Sequence, residues 1–213
     1  MPAALRPFLL ALACTVALTA AAADDPVVSG TLLRAADGGL RFEPCDGPAE
    51  LPVDDVGADA DLAGLYAVLA DNATPGLRAD LRGRVEDGRF IASGIERLVR
   101  HGSVCRQMRK RPAVFRALGH TPAWSLNVDR VRLRLQLGGS RDTPEFRYRR
   151  FARDPQSGRR VYDVRETSSS LRVTLLPERC MDGLAYGIYS YRAIVVYDGR
   201  VLRGCAYAGT LPE

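Results

Sequence analysis

The chain has 213 residues, of which 46% are hydrophobic, and a formal net charge of +5 at pH 7. This length exceeds the usual size of a single domain and allows two compact domains with separate cores. Because Lys110 is the only lysine among 30 basic residues, the charge reflects an arginine-rich composition, and it is weak evidence for a nucleic-acid partner, which we do not expect.

The N-terminus has the pattern of a secretory signal peptide. Arg6 precedes an apolar run of about fifteen residues that ends in small residues at Ala23, and roughly 20 are needed to span a bilayer as a helix. We therefore predict that residues 1–23 are removed and that the mature protein is periplasmic or secreted, with no transmembrane segment. Acylation of Cys14, as in a lipoprotein, is the alternative.

Residues 24–105 are predicted to form a first β domain that contains one helix. Short alternating segments separated by glycine-containing turns are typical of a barrel or sandwich, and they predict strands at 28–33, 40–42 and 77–85. Apolar residues at helical spacing, following acidic residues suited to a helix start, predict a helix that includes Leu62, Leu65, Tyr66 and Leu69.

Residues 106–213 are predicted to form a second, antiparallel β domain, which starts with a polar and basic linker at 106–112. Alternation at 124–128 and 131–137 gives strands with one buried and one exposed face. A further strand at 171–175 and a hairpin at 191–202 follow. The predicted fold class is therefore mostly β, with two small barrel-like domains.

Four cysteines follow the predicted signal peptide: Cys45, Cys105, Cys180 and Cys205. An even number in an exported chain indicates disulfides. Of the three possible connectivities we favour Cys45–Cys105 with Cys180–Cys205, which would give each predicted domain its own cross-link. The cysteines lack the short spacing of a zinc site and only two histidines are present, so we expect no metal and no cofactor.

Two parts of the chain resemble envelope proteins. The segment 30–99, with the sequences GTL, DGGLRFEPC, LAGLYAVLAD and LRADLRGRVEDGRF, resembles the OB-fold-like C-terminal domain of the envelope-stress lipoprotein NlpE. This resemblance implies an OB-like barrel for residues 24–105.

The segment 115–209 is similar to an uncharacterised family of bacterial envelope proteins and lipoproteins. The resemblance is carried by GHTPAWSL at 119–126, CMDG at 180–183, YSYRA at 189–193, DGR at 198–200 and GCA at 204–206. Thr121 and Ala123 depart from the acidic residue and phenylalanine common in the family. The similarity implies an envelope location and supplies no activity.

Catalytic patterns are weak in this sequence. His120, Ser125 and Asp129 could be imagined as a hydrolase triad, but the nucleophile motif Gly-x-Ser-x-Gly is absent, so we predict a loop role for the histidine. A group of acidic residues is predicted to be a solvated loop and helix start instead of a glycosidase or calcium site: Asp54, Asp55, Asp59 and Asp61. Soft ligands are too few for copper.

The ligand-binding candidates are aromatic. Trp124 is the only tryptophan, and Tyr189 and Tyr191 have the spacing of two that places both on one strand face. We predict that Trp124 is a core residue and that the two tyrosines pack across strands. The alternative, which makes these three rings the ligand-binding candidates, is an aromatic wall at a barrel mouth. Two basic clusters are predicted solvated faces, with an anionic surface as the alternative: 106–111 and 147–153.

Together these patterns predict a non-catalytic, monomeric envelope protein that binds a small ligand or another envelope protein. The alternative functions are inhibition of a cell-wall-degrading enzyme, as lysozyme inhibitors do, and cell-wall hydrolysis. The positive charge disfavours a lysozyme inhibitor, since lysozymes are usually basic themselves.

Overall fold

The computed structural model describes residues 25–47, 50–57, 61–70, 76–100, 105, 113–184 and 186–211. The predicted signal peptide and the predicted linker lie outside these residues. Strands make up 59% of the structure, which confirms the predicted mostly-β fold class with two barrel-like units. Within the described ranges, no helix has the length and apolar character needed to cross a membrane.

The first unit is a closed five-stranded barrel. Its strands are β1 Val27–Arg34, β2 Leu40–Pro44, β3 Leu51–Asp55, β4 Gly76–Glu86 and β5 Arg89–Val99. They follow the order β1-β2-β3-β5-β4, and β4 pairs back with β1 to close the barrel. The pairing of β3 with β5 is parallel. Phe42 and Phe90 meet inside with ring centroids 4.6 Å apart.

A helix, α1 Leu62–Leu69, connects β3 to β4. It begins as predicted, because the Asp61 side chain accepts a hydrogen bond of 2.8 Å from Gly64 N and caps the first turn. Leu62, Tyr66 and Leu69 are buried against the barrel, which is the face that the helical spacing predicted.

Residues 113–211 contribute eleven described strands: β6 Phe115–His120, β7 Ala123–Val128, β8 Arg132–Leu137, β9 Glu145–Arg147, β10 Ala152–Arg153, β11 Arg160–Arg165, β12 Ser170–Leu176, β13 Cys180–Met181, β14 Gly187–Tyr189, β15 Tyr191–Tyr197 and β16 Arg200–Ala208. Nine of them form the second sheet in the order β10-β11-β12-β15-β16-β6-β7-β8-β9, which curls into a half-barrel. Its alternating residues fill the concave side; Leu133 and Leu135, for example, have no solvent exposure.

The strands β13 and β14 belong to the first sheet. After β12 the chain leaves the second sheet, β14 pairs with the last residues of β5 through Ile188 and Leu98, and the chain then returns to the second sheet as β15. We call residues 180–189 the crossover hairpin. The segment joins the two sheets, although it lies within the predicted second domain.

Both predicted disulfides are present. Cys45 is bonded to Cys105, and Cys180 is bonded to Cys205. The second bond connects β13 of the first sheet to β16 of the second, so it joins the two sheets instead of cross-linking one domain as we expected. The two bonds indicate an oxidising environment.

A buried carboxylate also joins the sheets. Glu96 on β5 is 2% exposed, and it accepts hydrogen bonds from Arg82 Nε at 2.6 Å, Ser190 Oγ at 2.5 Å and Ala208 N at 2.9 Å. The Arg82 guanidinium supplies the counter-charge that burial of a carboxylate requires.

A second buried ion pair lies beside it. Asp80 accepts hydrogen bonds from Ser29 Oγ at 2.5 Å and from Arg97 Nε at 2.7 Å. Arg97 in turn donates to the Tyr207 hydroxyl at 3.0 Å and lies 4.2 Å from the centroid of that ring. Polar contacts of the first barrel thus extend to β16 of the second sheet.

Candidate functional site

A cavity of about 300 Å³ lies between the crossover hairpin and strands β6, β15 and β16 of the second sheet. We call it the hairpin cavity. Its chemically distinctive lining residues are His120, Cys180, Asp182, Arg192, Arg203 and Cys205. This volume is at the lower end of the range for small-molecule sites.

Separate parts of the sequence meet in this cavity. Residues 119–121, 180–183, 192–193 and 204–205 all line it. These positions belong to four of the five motifs quoted above for residues 115–209. The motifs, although distant from one another in the chain, therefore line one cavity.

A histidine beside a buried carboxylate forms part of the polar lining of the hairpin cavity. His120 Nε2 lies 3.7 Å from Asp182 Oδ2, and the two side chains are 37% and 6% exposed. This distance is longer than a hydrogen bond. Asp182 accepts hydrogen bonds from Tyr186 N at 2.9 Å and from the Tyr189 hydroxyl at 3.4 Å, so the hairpin itself holds the carboxylate in place.

Tyr189 is a fixed hydrogen-bond donor. Burial of the ring, together with the nearby charge of Asp182, raises the pKa of the Tyr189 hydroxyl far above its usual range. The hydroxyl therefore stays protonated and donates to the carboxylate at all physiological pH values. The same oxygen of Asp182, Oδ2, is the one nearest to His120.

The mouth of the cavity is basic. Arg192 is 55% exposed and its Nε lies 2.7 Å from Glu178 Oε1. Arg203, on the neighbouring strand β16, also lines the cavity. The site can therefore contact a ligand with an imidazole and guanidinium groups at the rim, and with aliphatic side chains and disulfide sulfur inside.

Glycines shape the inner wall. A side chain at Gly204 would collide with the Leu118 carbonyl oxygen and approach the Trp124 ring, and one at Gly119 would collide with the Trp124 indole nitrogen. Gly183, in contrast, borders open space on the cavity side. The indole thus packs directly against the backbone that forms the cavity wall.

The structure does not bring the three predicted ligand-binding rings together. Trp124 is 4% exposed, and its Nε1 donates to the Arg203 carbonyl at 3.2 Å. Tyr189 lies on the first sheet beside Tyr207, whereas Tyr191 lies on the second sheet with its ring 5.3 Å from that of Phe115. Because the chain changes sheets at residue 190, a spacing of two does not give a shared face. A ligand-binding role for these rings stays a prediction.

The imagined catalytic triad is not assembled. His120 pairs with Ala123 at one end of the β6–β7 hairpin. Asp129 follows the other end of β7, where it accepts hydrogen bonds from Arg132 N at 2.7 Å and from Arg134 Nη1 at 3.0 Å. Ser125 lies between them, opposite Leu118. The acidic residue near the histidine is instead Asp182, which the motif analysis did not connect with it.

The acidic group has structural roles in the described residues. Asp54 and Asp55 lie on β3, not in the predicted loop. A hydrogen bond from Arg89 holds the pKa of Asp54 below its usual value, and Asp55 accepts from Leu62 N at 2.9 Å. Asp61 caps the helix, and Asp59 lies outside the described residues. A glycosidase acid needs a raised pKa, which Asp54 lacks.

In the described part of the chain, no three histidine, cysteine, aspartate or glutamate side chains lie close enough together to hold a metal ion. In the basic cluster at 147–153, Arg153 borders a second cleft. The cluster at 106–111 lies outside the described residues.

Comparison of the chain with protein-family models, with curated proteins and with solved structures gave no match.

Proposed function

We propose that this protein is a non-catalytic binding module of the bacterial envelope, exported by the signal peptide at 1–23, and that the hairpin cavity is its ligand site. The observation that carries the proposal is that motifs distant in the sequence line one cavity. The crossover hairpin forms part of that cavity and is anchored by a disulfide. The fold alone would not assign a function.

The composition of the cavity favours binding over catalysis. Nucleophilic catalysis requires an activated hydroxyl or thiol beside a base. Cys180 and Cys205 are joined in a disulfide, and the Tyr189 hydroxyl donates a hydrogen bond to Asp182. His120 with Asp182 can accept or donate hydrogen bonds, and together with Arg192 it suits recognition of a polar ligand.

The first barrel supports the OB-like assignment. Its strand order, its parallel β3–β5 pair and the helix between β3 and β4 are the arrangement expected of that barrel type. OB-like barrels commonly bind ligands on an open face, and in this chain the crossover hairpin adds its strands to the C-terminal part of β5.

A blocking substitution tests the proposal. Gly183 lines the hairpin cavity, a side chain there would meet no atom within 4 Å, and its φ is not in the left-handed region, so Gly183→Trp introduces a large ring at the cavity without backbone strain. We expect native mass spectrometry of periplasmic protein, under non-reducing conditions, to show a bound ligand on the wild type and at least a tenfold lower bound fraction on the variant.

Val131→Trp is the matched control, because Val131 is 54% exposed and does not line the hairpin cavity. If the Gly183→Trp variant retained as much ligand as Val131→Trp, the binding site would lie outside the hairpin cavity. If the purified protein turned over peptidoglycan fragments, its function would be enzymatic and the binding proposal would be wrong.

A second candidate function, inhibition of a cell-wall-degrading enzyme, is favoured by the exposed surface of the crossover hairpin. Met181, Leu184 and Tyr186 are 50%, 53% and 46% exposed within six residues of chain. An inhibitory hairpin would suppress lysozyme at near-equimolar ratio, and Leu184→Asp would abolish that suppression. Full lysozyme activity at a tenfold excess of the protein excludes this function for lysozyme.

A further inference from the structure

The hairpin cavity is lined by one arginine that forms no ion pair with any described residue. Arg192 and Arg203 both line it, and the guanidinium of Arg192 is paired with Glu178. Arg203 is exposed, and among the residues that the structure describes no carboxylate lies within ion-pair distance of its guanidinium. A carboxylate of a ligand could therefore pair with Arg203 without displacing a protein group.

Strand alternation places Arg203 on the side of β16 that faces the crossover hairpin. Residues two apart in a strand share a face, so Arg203 lies on the same face as Cys205, whose disulfide leads to the hairpin. Leu202, on the opposite face, is buried in the core of the second sheet. The neighbour of Arg203 on β15 is Ile194, which also lines the cavity. A positive charge and an apolar side chain thus lie next to each other at the site.

The negative charge of the cavity is the Asp182 carboxylate. This side chain is only 6% exposed, and its hydrogen-bond donors, Tyr186 N and the Tyr189 hydroxyl, are both neutral. Among the described residues, the basic side chain within ion-pair distance of Asp182 is His120, at 3.7 Å. Because burial of a carboxylate is unfavourable unless a cation pairs with it, a positively charged group of a ligand would stabilise Asp182.

The size and the remaining lining of the cavity restrict the ligand further. A volume of about 300 Å³ suits a small molecule, and Leu118, Met181 and Ile194 supply apolar contact. A simple anion would be repelled by Asp182, and a simple cation would be repelled by Arg203. A small molecule that carries both charges and an apolar group satisfies all of these contacts.

We infer that the hairpin cavity binds a zwitterion, specifically a free α-amino acid with an apolar side chain. Its ammonium group pairs with Asp182, its carboxylate pairs with Arg203, and its side chain contacts Ile194 and Met181. The inference rests on the function proposed above, since it names the ligand class of the same cavity.

Calorimetric titration of the purified protein with three related probes tests the ligand class. Leucine carries both charges, isocaproate is leucine without the ammonium group, and isoamylamine is leucine without the carboxylate. We expect saturable 1:1 binding of leucine, with at least tenfold weaker binding of each analogue, because each lacks one charge-assisted pair. Absence of leucine binding, or an analogue that binds as tightly as leucine, would overturn the inference.

Arg203→Gln tests the predicted carboxylate contact. Because Arg203 is exposed, we expect this variant to keep the urea midpoint of the wild type and to bind leucine at least tenfold more weakly. Arg200→Gln is the matched control, since Arg200 is exposed on the same strand and does not line the cavity. Equal leucine affinity in the two variants would overturn the assignment of Arg203.

The blocking variant Gly183→Trp separates this inference from the proposed function. We expect it to lose leucine binding together with the ligand carried from the periplasm. If it lost the periplasmic ligand while the wild type failed to bind leucine, the cavity would remain the ligand site and the zwitterion would be wrong. If it bound leucine as tightly as the wild type, the amino acid would bind outside the cavity and the inference would be wrong.

Discussion

Glu96 is a buried residue through which the first sheet makes polar contacts with the second. Charged residues rarely become fully buried unless they are paired, and Glu96 satisfies one guanidinium, one hydroxyl and one backbone N–H from three different strands or connections. Within residues 90–99, a mostly apolar stretch, Glu96 and Arg97 are the only two charged residues. That interruption was the available signal, and it does not identify the partners.

Replacement of Glu96 by glutamine should destabilise the protein strongly. Glu96→Gln leaves Arg82 without its counter-charge and places an amide N–H₂ where acceptors are needed, so we expect a loss of about 2–4 kcal/mol in the free energy of unfolding, measured in urea. Glu86→Gln, at the exposed Arg84–Glu86 pair, should cost about 0.5 kcal/mol or less. Similar losses for both variants would contradict the importance of burial.

Exposed ion pairs should instead determine how stability responds to acid. Hydrogen bonds from Arg132 and then from Arg134 lower the pKa of Glu145 below its ordinary value of 4.5. A carboxylate whose pKa is lower in the folded state contributes stability above its unfolded pKa and loses that contribution as pH falls through the folded value.

We therefore expect the urea midpoint of the wild type to approach that of Glu145→Gln as the pH falls below 4.5. The difference between the two midpoints should also become smaller in high salt. Midpoints measured from pH 7 to pH 2 check this. The exposed Glu50→Gln variant is the control, and a gap that widened toward low pH would contradict the assignment.

At the scale of elements, local patterns predicted most strands correctly. The helix at Leu62–Leu69 and the strand at Arg132–Leu137 follow directly from residue spacing. The crossover hairpin was missed because its strands are only two and three residues long, too short for a period to be visible. Its pairing with β5 depends on contacts distant in sequence, which periodicity does not encode. The hairpin cavity could not be predicted for the same reason.

The Cys180–Cys205 bond should hold the crossover hairpin in place. By loop-closure entropy, its removal in the double variant Cys180→Ala/Cys205→Ala should cost about 3 kcal/mol of unfolding free energy. We expect amide hydrogen exchange in β13 and β14 to accelerate at least tenfold, while exchange in β7 and β8 changes little. Cys45→Ala/Cys105→Ala is the control, and it should leave exchange in the hairpin slower than the first variant does.

At the scale of the whole molecule, the two sheets are connected by strand pairing, a disulfide and buried ion pairs. Alternation predicted the fold class, and the even number of cysteines predicted disulfides. The favoured connectivity, chosen to give each predicted domain its own cross-link, is the observed one. It did not predict that the second disulfide spans the sheets, because that depends on which sheet β13 joins.

This connection predicts a single cooperative unfolding transition. Trp124 reports on the second sheet alone, and far-ultraviolet circular dichroism reports on both. We expect the two signals to give coincident urea transitions, as in a two-state protein. A Trp124 transition separated from the dichroism transition would show instead that the two sheets unfold as separate units.

The crossover hairpin also constrains the order in which the protein can be built. A chain synthesised N-terminus first presents β5 well before residues 187–189, which complete the pairing of its C-terminal part. During that interval the backbone groups of residues 97–99 that will bond to β14 are open to pairing with other chains. Folding should therefore be slow and dependent on holding chaperones, since contacts between distant parts of a chain form late.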